Sequence, residues 1–295
     1  MARLITEADT IRAINLRFGE MTTDGYSLLS VPVPRQALIH VHASDREIGK
    51  IYQPALGIQA GANAFAAQLT PTRGGWSDWR ARGRAAYLDS FDAPEQPSPV
   101  DMVKVSSWLR QNLPEDVILT NGAGNFTVWP NKFFQFGPRA RLLAPQSGAM
   151  GYGLPAAIAA KVASPDRMVV CFAGDGDFQM TCTELATARQ AGAQPIILLV
   201  NNGIYGTIRA HQERAYPQRV SGTSMTGNPD FVALARAYGF HGERVERTED
   251  FAAAFQRAQA APAGALLDLS VSPEALTPRQ TLSQIRTAGL AARGE

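Results

Sequence analysis

Cysteine is scarce in this sequence, and the cysteines that occur have no partners that would give them a chemical role. Cys171 and Cys182 are the only two among 295 residues, and neither forms a CxxC pair or has a histidine nearby. This excludes a disulfide framework and a cysteine-based zinc site, and it is typical of a reducing compartment. Because Cys171 lies within an apolar run, we interpret it as a small core residue. We therefore expect a cytoplasmic location.

Long apolar runs and an excess of one charge are also missing. No apolar stretch approaches the roughly 20 residues that a helix needs to cross a bilayer, so we expect no membrane partner. Lysine and arginine number 28 against 26 aspartates and glutamates. This near balance argues against a nucleic-acid partner. The remaining composition, with 45% hydrophobic and 18% charged residues, is that of an ordinary globular protein.

The common glycine-rich nucleotide motifs are absent as well. No GxGxxG opens a helix, and no GxxxxGK[ST] loop occurs. Both motifs work by bringing backbone N–H groups close to phosphates, and their absence weighs against a dinucleotide or P-loop site. A nucleotide-binding Rossmann domain is therefore the least favoured interpretation of this sequence.

The chain divides into three zones by composition and periodicity. Residues 1–70 contain a strand-like segment at 36–42, and residues 71–99 hold a possible short helix and end in a proline-rich run. That run cannot continue a helix and indicates a linker. From residue 100 to 295, helix-like and strand-like segments alternate, which is the pattern of an α/β fold with a parallel sheet.

The regular elements predicted in the last zone are strands at 117–120, 168–173, 196–200 and 265–269, and helices at 103–113, 152–163, 183–191 and 229–238. The strands at 168–173 and 196–200 are entirely apolar, as expected for central strands that are buried on both faces.

Polar residues follow each of these two central strands. The first strand runs into Gly-Asp-Gly-Asp at 174–177, and the second runs into Asn-Asn-Gly at 201–203. The helix between them predicts a right-handed βαβ unit, so the polar ends lie at the same edge of the sheet, where α/β folds bind ligands. Each motif alone is more often a turn. Together, their carboxylate and amide oxygens favour a hard cation such as Mg²⁺.

The two motifs together resemble those of a known enzyme family. Gly174-Asp175-Gly176, followed after residues 177 to 201 by Asn202, is similar to the thiamine-diphosphate (ThDP) motif of the acetolactate synthase, pyruvate oxidase and benzoylformate decarboxylase superfamily. The resemblance covers nearly the whole chain and is most specific between about residues 120 and 210. It implies ThDP and Mg²⁺ as cofactors, and Gly174 as part of the cofactor site.

The resemblance also implies individual roles at this edge of the sheet. Asp175 and Asn202 are expected to ligate Mg²⁺ through their side chains, and Ile204 through its backbone carbonyl. Gly176 and Asp177 are expected to offer backbone N–H groups to the diphosphate.

Two upstream segments extend the likeness. In the run 148–157, the carbonyl of Gly148 and the N–H of Met150 are expected to bond the aminopyrimidine, and the Met150 side chain to wedge beneath the cofactor. A methionine that merely fills a gap in the core is the alternative.

The second upstream segment follows the strand predicted at 117–120. Ala123, Gly124 and Asn125 lie where the family places another diphosphate loop. A simple strand-to-helix turn is the alternative for these three residues.

The resemblance predicts a domain organisation and also a missing part. Residues 100–295 are expected to form the parallel-sheet, three-layer diphosphate-binding domain, after a linker at 71–99 and a partial Rossmann-like middle domain at 1–70. Family members also have a pyrimidine-binding domain, whose glutamate activates the cofactor by proton transfer. That domain is not in this sequence, so we expect the chain to be incomplete by itself, and no catalytic residue is identified.

By resemblance, the expected activity is decarboxylation or carboligation of a small 2-oxo acid, as in an acetolactate synthase-like transferase or lyase. Acetolactate synthases have a tryptophan that selects the acceptor where this chain has His211, so the substrate stays open, and so does FAD binding. The alternatives are a non-catalytic ThDP-binding fragment and one subunit of a split enzyme. The expected partners are a second copy of the chain or a separate chain that carries the pyrimidine domain.

Overall fold

Two parallel sheets organise the chain, one in each of its two units. The computed structural model describes residues 2–294, and the chain divides into Met1–Asp92 and Ala93–Glu295. The division falls within the segment 71–99 that the sequence assigns to a linker. The middle of that segment is a helix, Ser77–Asp89, which belongs to the first unit.

The first unit holds a three-stranded parallel sheet with the strands in chain order. Its core is small and centres on Ala13, Leu29, Leu38 and Tyr52. The elements of this unit are α1 (Ala2–Glu7), β1 (Thr10–Ile14), β2 (Ala37–His42), β3 (Leu56–Gln59), α2 (Ala62–Ala67) and α3 (Ser77–Asp89).

The second unit holds a six-stranded sheet in the order β5-β4-β6-β7-β9-β8, in which every pairing is parallel. Its strands are β4 (Ile118–Asn121), β5 (Arg141–Leu143), β6 (Val169–Gly174), β7 (Ile196–Asn201), β8 (His241–Val245) and β9 (Ala265–Ser270).

Helices connect these strands, as parallel pairing requires. Among residues 2–294, no helix is both long enough and apolar enough to cross a bilayer. The helices of the second unit are α4 (Met102–Asn112), α5 (Val128–Phe133), α6 (Gly153–Ala163), α7 (Asp175–Gln179), α8 (Leu185–Gln190), α9 (Gly206–Ala215), α10 (Phe231–Ala237), α11 (Phe251–Gln259) and α12 (Leu282–Arg293), with 3₁₀ turns at Asn125–Thr127, Cys182–Glu184 and Thr248–Asp250.

Strands β6 and β7 lie in the middle of this sheet because their side chains are apolar on both faces. Cys171 and Ile197 point to the face covered by α6, α8 and α10. Phe172 and Leu198, one position further along each strand, point to the opposite face and are equally inaccessible to solvent. The α/β fold class with a parallel sheet is therefore confirmed, as is the interpretation of Cys171 as a core residue.

Side-chain caps fix where several helices begin. Asp101 accepts hydrogen bonds from two N–H groups at the start of α4, and Asp230 does the same for α10. Thr281 and Gln284 form a reciprocal capping box at the start of α12. Because Asp230 takes the capping position, α10 begins at Phe231, two residues later than predicted.

Most of the other observed bounds differ from the predicted ones by one residue, and two of the differences change the local structure. Strand β6 includes Gly174, so Asp175 opens α7 directly at the end of the strand. The helix predicted at 183–191 is a 3₁₀ turn that leads into the shorter α8.

A buried carboxylate joins α9 to α12. Glu213 is 1% exposed and accepts hydrogen bonds from Arg286 at 2.6 and 2.9 Å, from Arg209 at 3.3 Å and from the N–H of Gln218 at 3.1 Å. The Arg286 guanidinium is the main cause that lowers the pKa of Glu213 from its ordinary 4.5 to about 2. The charged form of this residue therefore stabilises the fold.

We expect Glu213→Gln to lower the free energy of unfolding at pH 7 by roughly 3 kcal/mol, since each unit of pKa shift corresponds to about 1.4 kcal/mol. A lowered pKa stabilises above the ordinary value of 4.5 and loses its effect as the pH falls through about 2. The difference between wild type and variant should therefore shrink as the pH falls from 4.5 to 2, measured by urea unfolding. Glu115→Gln, at an exposed position, is the control. A difference that does not change with pH would contradict this account.

Candidate functional site

A cavity of about 340 Å³ lies at the carboxyl ends of the central strands of the second unit. Its wall is made by the loop after β4, the segment before α6, the β6–α7 junction and the turn between β7 and α9. The eleven residues that the sequence assigns to the cofactor site all line it: Ala123, Gly124, Asn125, Gly148, Met150, Gly174, Asp175, Gly176, Asp177, Asn202 and Ile204.

The register of β6 and β7 brings the two polar motifs together. Gly174 pairs with Val200, so Asp175 and Asn202 follow at the same edge of the sheet. The Asp175 carboxylate is 2% exposed, and its Oδ2 accepts the N–H of Gly203 at 3.0 Å. One hydrogen bond thus joins the two strand ends directly.

The turn after β7 is shaped by its own asparagine. Asn202 Oδ1 accepts the N–H of Ile204 at 3.2 Å, which is the geometry of an Asx turn. Gly203 has a φ of 67°, a value that glycine adopts without steric cost. The turn places the side chain of Asn202 and the backbone of Ile204 in the cavity wall.

Asp177 holds two loops in place. Its Oδ1 accepts the N–H of Ala123 at 3.0 Å and the N–H of Gly151 at 2.8 Å. The first donor belongs to the loop after β4, and the second lies just before α6. The sequence predicts a role for the Asp177 backbone, but it does not reveal this use of the side chain.

Burial raises the pKa of both Asp175 and Asp177 above the ordinary 3.8, and their hydrogen bonds offset this only in part. Within the described part of the chain, the hydrogen-bond donors to these carboxylates are all neutral amides. A buried negative charge is costly unless a cation or a set of donors compensates it. The Asp175 carboxylate and the Asn202 side chain, which line the same cavity, offer oxygen atoms of the kind that bind a hard cation.

Close approach explains the glycine that precedes the lining loop at 123–125. A Cβ on Gly122 would lie 1.9 Å from Asp177 Oδ1, the oxygen that binds both loops. A larger residue at this position displaces the carboxylate.

Met150 stands in the cavity wall with 36% of its surface exposed. It follows Gly148, whose φ of 68° favours glycine. A core gap-filler would be shielded by packing, whereas this side chain is accessible from the cavity. The exposure argues against a buried filler, and the wedge stays a prediction.

The sequence did not single out several other residues at the site. Six of them line the cavity: Phe126, Val200, Tyr205, Gly206, Thr207 and Ile208. Most are next to predicted positions in sequence, which is the only signal that points to them. Asn228 and Gln179 are different, because they contact Asp175 from outside both motifs.

His211 is not among the cavity's lining residues. It is exposed on α9 and lies 3.4 Å from Arg214, so its side chain faces solvent. Across residues 2–294, no cluster of three or more histidine, cysteine, aspartate or glutamate side chains has the geometry of a metal site. A metal held by one carboxylate, one amide and one carbonyl is of a different kind.

Comparison with known proteins identifies the same region. Residues 122–269, half of the chain, match the sequence model of the family described as "Thiamine pyrophosphate enzyme, C-terminal TPP binding domain". All residues predicted to bind the cofactor lie within this range.

The curated relatives are acetolactate synthases. The chain is 30% identical over 256 residues to the acetolactate synthase isozyme 2 large subunit of Escherichia coli (strain K12), covering 85% of this chain and 45% of that protein. It is 30% identical to the mitochondrial acetolactate synthase catalytic subunit of Saccharomyces cerevisiae, covering 90% and 41%. It is 32% identical to the acetolactate synthase large subunit of Corynebacterium glutamicum, and the match covers 86% of this chain and 42% of that protein. The chain thus spans less than half the length of these relatives.

We expect Gly122→Ala to destabilise the protein by about 3 kcal/mol, because it breaks a buried hydrogen-bond network. The matched control is Gly137→Ala, where an added Cβ meets no atom within 4 Å. Urea unfolding of the two variants measures the difference. Equal stability of the two variants would show that Asp177 does not hold the loops as described.

Proposed function

The chain belongs to the thiamine pyrophosphate enzymes, and from this membership we propose that it binds ThDP through Mg²⁺ and serves the decarboxylation or carboligation of a small 2-oxo acid. The observation that carries the proposal is the single cavity lined by all eleven residues that the sequence assigns to the cofactor. Four separate chain segments contribute to it, which a chance similarity of short motifs does not explain.

In this proposal each part of the wall has its own task. Asp175, Asn202 and the Ile204 carbonyl hold Mg²⁺. The N–H groups of Gly176 and Asp177, together with the loop at 123–125, face the diphosphate. These oxygens and N–H groups suit a hard cation and an anion, respectively.

The upstream segment receives the other end of the cofactor. The backbone of Gly148 and Met150 faces the aminopyrimidine, and the Met150 side chain supports the bent cofactor. Bound ThDP supplies the stabilisation of negative charge that bond breaking next to a 2-oxo acid carbonyl needs. The protein binds, orients and shields the reacting groups.

The proposed substrate class rests on the names of the curated relatives. The curated relatives are acetolactate synthases by name, which favours a small 2-oxo acid as the substrate of this chain. A cytoplasmic location, proposed from the scarcity of cysteine, suits such an activity.

Activation of the cofactor requires a group that the cavity wall does not provide. Among the described lining residues, the only carboxylates are Asp175 and Asp177, and both already accept hydrogen bonds. We propose that a second copy or a separate chain contributes the activating carboxylate. A non-catalytic ThDP-binding module is the second candidate, favoured by the engagement of both lining carboxylates in hydrogen bonds.

We expect Asp175→Asn to weaken Mg²⁺-dependent ThDP binding about 100-fold or more, because the substitution removes the one charged protein ligand proposed for the metal and keeps the size of the side chain. Isothermal titration with ThDP, with and without Mg²⁺, measures the affinity. Asp166→Asn, at an exposed position outside the site, should bind like wild type. Equal Mg²⁺-dependent affinities of wild type and Asp175→Asn would refute the metal assignment.

The purified chain alone is expected to bind ThDP and Mg²⁺ but to release no carbon dioxide from pyruvate above the rate of free ThDP, since no lining carboxylate is available as the proton-transfer group. A coupled assay of carbon dioxide release measures this. If turnover occurs and disappears in Asp175→Asn, the chain is a complete enzyme and needs no further carboxylate.

A further inference from the structure

Asn228 lies far from both cofactor motifs in sequence, yet it contacts the proposed metal ligand Asp175. Its Nδ2 donates to Asp175 Oδ2 at 2.8 Å. Its Oδ1 accepts from Gln179 Nε2 at 2.9 Å. The side chain is half-buried and therefore bridges the first and last residues of α7.

The orientation of this amide is determined by its two neighbours. The ionised carboxylate of Asp175 only accepts hydrogen bonds, so the NH₂ group of Asn228 has to face it. The amide oxygen then faces the NH₂ group of Gln179, which donates to it. A flipped amide would oppose like groups at both ends, so Gln179 holds Asn228 in the donating orientation.

The segment that carries Asn228 is anchored to the turn after β7. The N–H of Met225 donates to the Gly203 carbonyl at 2.9 Å, and the N–H of Tyr205 donates to the Thr223 carbonyl at 2.9 Å. These two bonds flank an antiparallel bridge between the two segments. Asn228 is thus attached to the end of β7 through its backbone and to the end of β6 through its side chain.

The consequence for Asp175 is that one of its oxygens is fully occupied. Oδ2 accepts the N–H of Gly203 at 3.0 Å and the amide of Asn228 at 2.8 Å. Two donors use the two lone-pair positions of a carboxylate oxygen. The hydrogen bonds that reach this carboxylate from other described segments both end on Oδ2, and the further donors are the adjacent N–H groups of Asp175 and Gly176. Oδ1 is therefore the oxygen that no other described segment occupies and that is open to a cation.

We propose that Asn228 is a positioning residue that restricts Asp175 to a single cation-facing oxygen and thereby favours Mg²⁺ over Ca²⁺. This inference rests on the proposed function, because it concerns the same cation site. Mg²⁺ requires six ligands in a near-ideal octahedron, whereas Ca²⁺ accepts six to eight and often takes both oxygens of one carboxylate. A carboxylate limited to one oxygen suits the smaller ion.

The test compares two ions in the chain of residues 1–295. ThDP affinity is measured by isothermal titration at saturating Mg²⁺ and, separately, at saturating Ca²⁺, for wild type, Asn228→Ala and Gln179→Ala. Asn63→Ala, on the exposed surface of α2, is the matched control. Thermal unfolding without ligands shows whether each variant is folded.

We expect Asn228→Ala to weaken Mg²⁺-supported ThDP binding about tenfold, because the hydrogen-bond partners of a metal ligand keep it oriented towards the metal. Ca²⁺-supported ThDP binding should weaken less than about twofold, because Ca²⁺ can use the second carboxylate oxygen that the substitution frees. Gln179→Ala should shift the ratio of the two affinities in the same direction by a smaller factor. Equal weakening with both ions, or no weakening, overturns the inference while leaving the proposed function intact. Absence of ThDP binding by the folded wild type with either ion overturns both.

Discussion

The cavity depends on one buried carboxylate. Asp177 Oδ1 accepts N–H groups from Ala123 and Gly151, so two loops that are distant in sequence meet at a single atom beside the end of β6. Such charge-assisted bonds are stronger than bonds between neutral groups, which offsets part of the cost of burying the charge. The position of the loop at 123–125 and that of Met150 both follow from this contact. The arrangement requires a glycine at position 122, because no side chain fits between its backbone and the Asp177 carboxylate.

The sequence predicts the central part of the fold well because the information there is local. Strand β7 is a continuous apolar run, so its position, its burial and the polar residues at its end all follow from periodicity. The strands at the edge of each sheet do not stand out in this way. Strand β8, at the edge, mixes buried, partly buried and exposed residues over only five positions, and a surface segment would look the same. The resemblance gave the eleven lining residues for a similar reason, since they belong to short contiguous motifs.

What the sequence does not predict are contacts made across long separations. Asn228 meets Asp175 over 53 residues, and nothing in the local pattern around Asn228 distinguishes it from a residue that caps or precedes a helix. The role of the Asp177 side chain is hidden in the sequence for a related reason. The motif explains its backbone, and the two N–H groups that it binds become visible only when three segments are placed together. Tertiary structure determines which polar side chains are structural and which face a ligand.

The register between β6 and β7 has a consequence for how this protein tolerates sequence change. Asp175 and Asn202 are attached to adjacent strands whose alignment is set by hydrogen bonds along the backbone. A slip of one residue would move one group by about 3.3 Å relative to the other, more than the coordination shell of a small cation can absorb. The apolar side chains of these strands can therefore be exchanged for others of similar volume over evolutionary time, whereas an insertion or deletion within either strand cannot be accepted. Homologous sequences should therefore diverge within β6 and β7 by substitution and not by insertion or deletion.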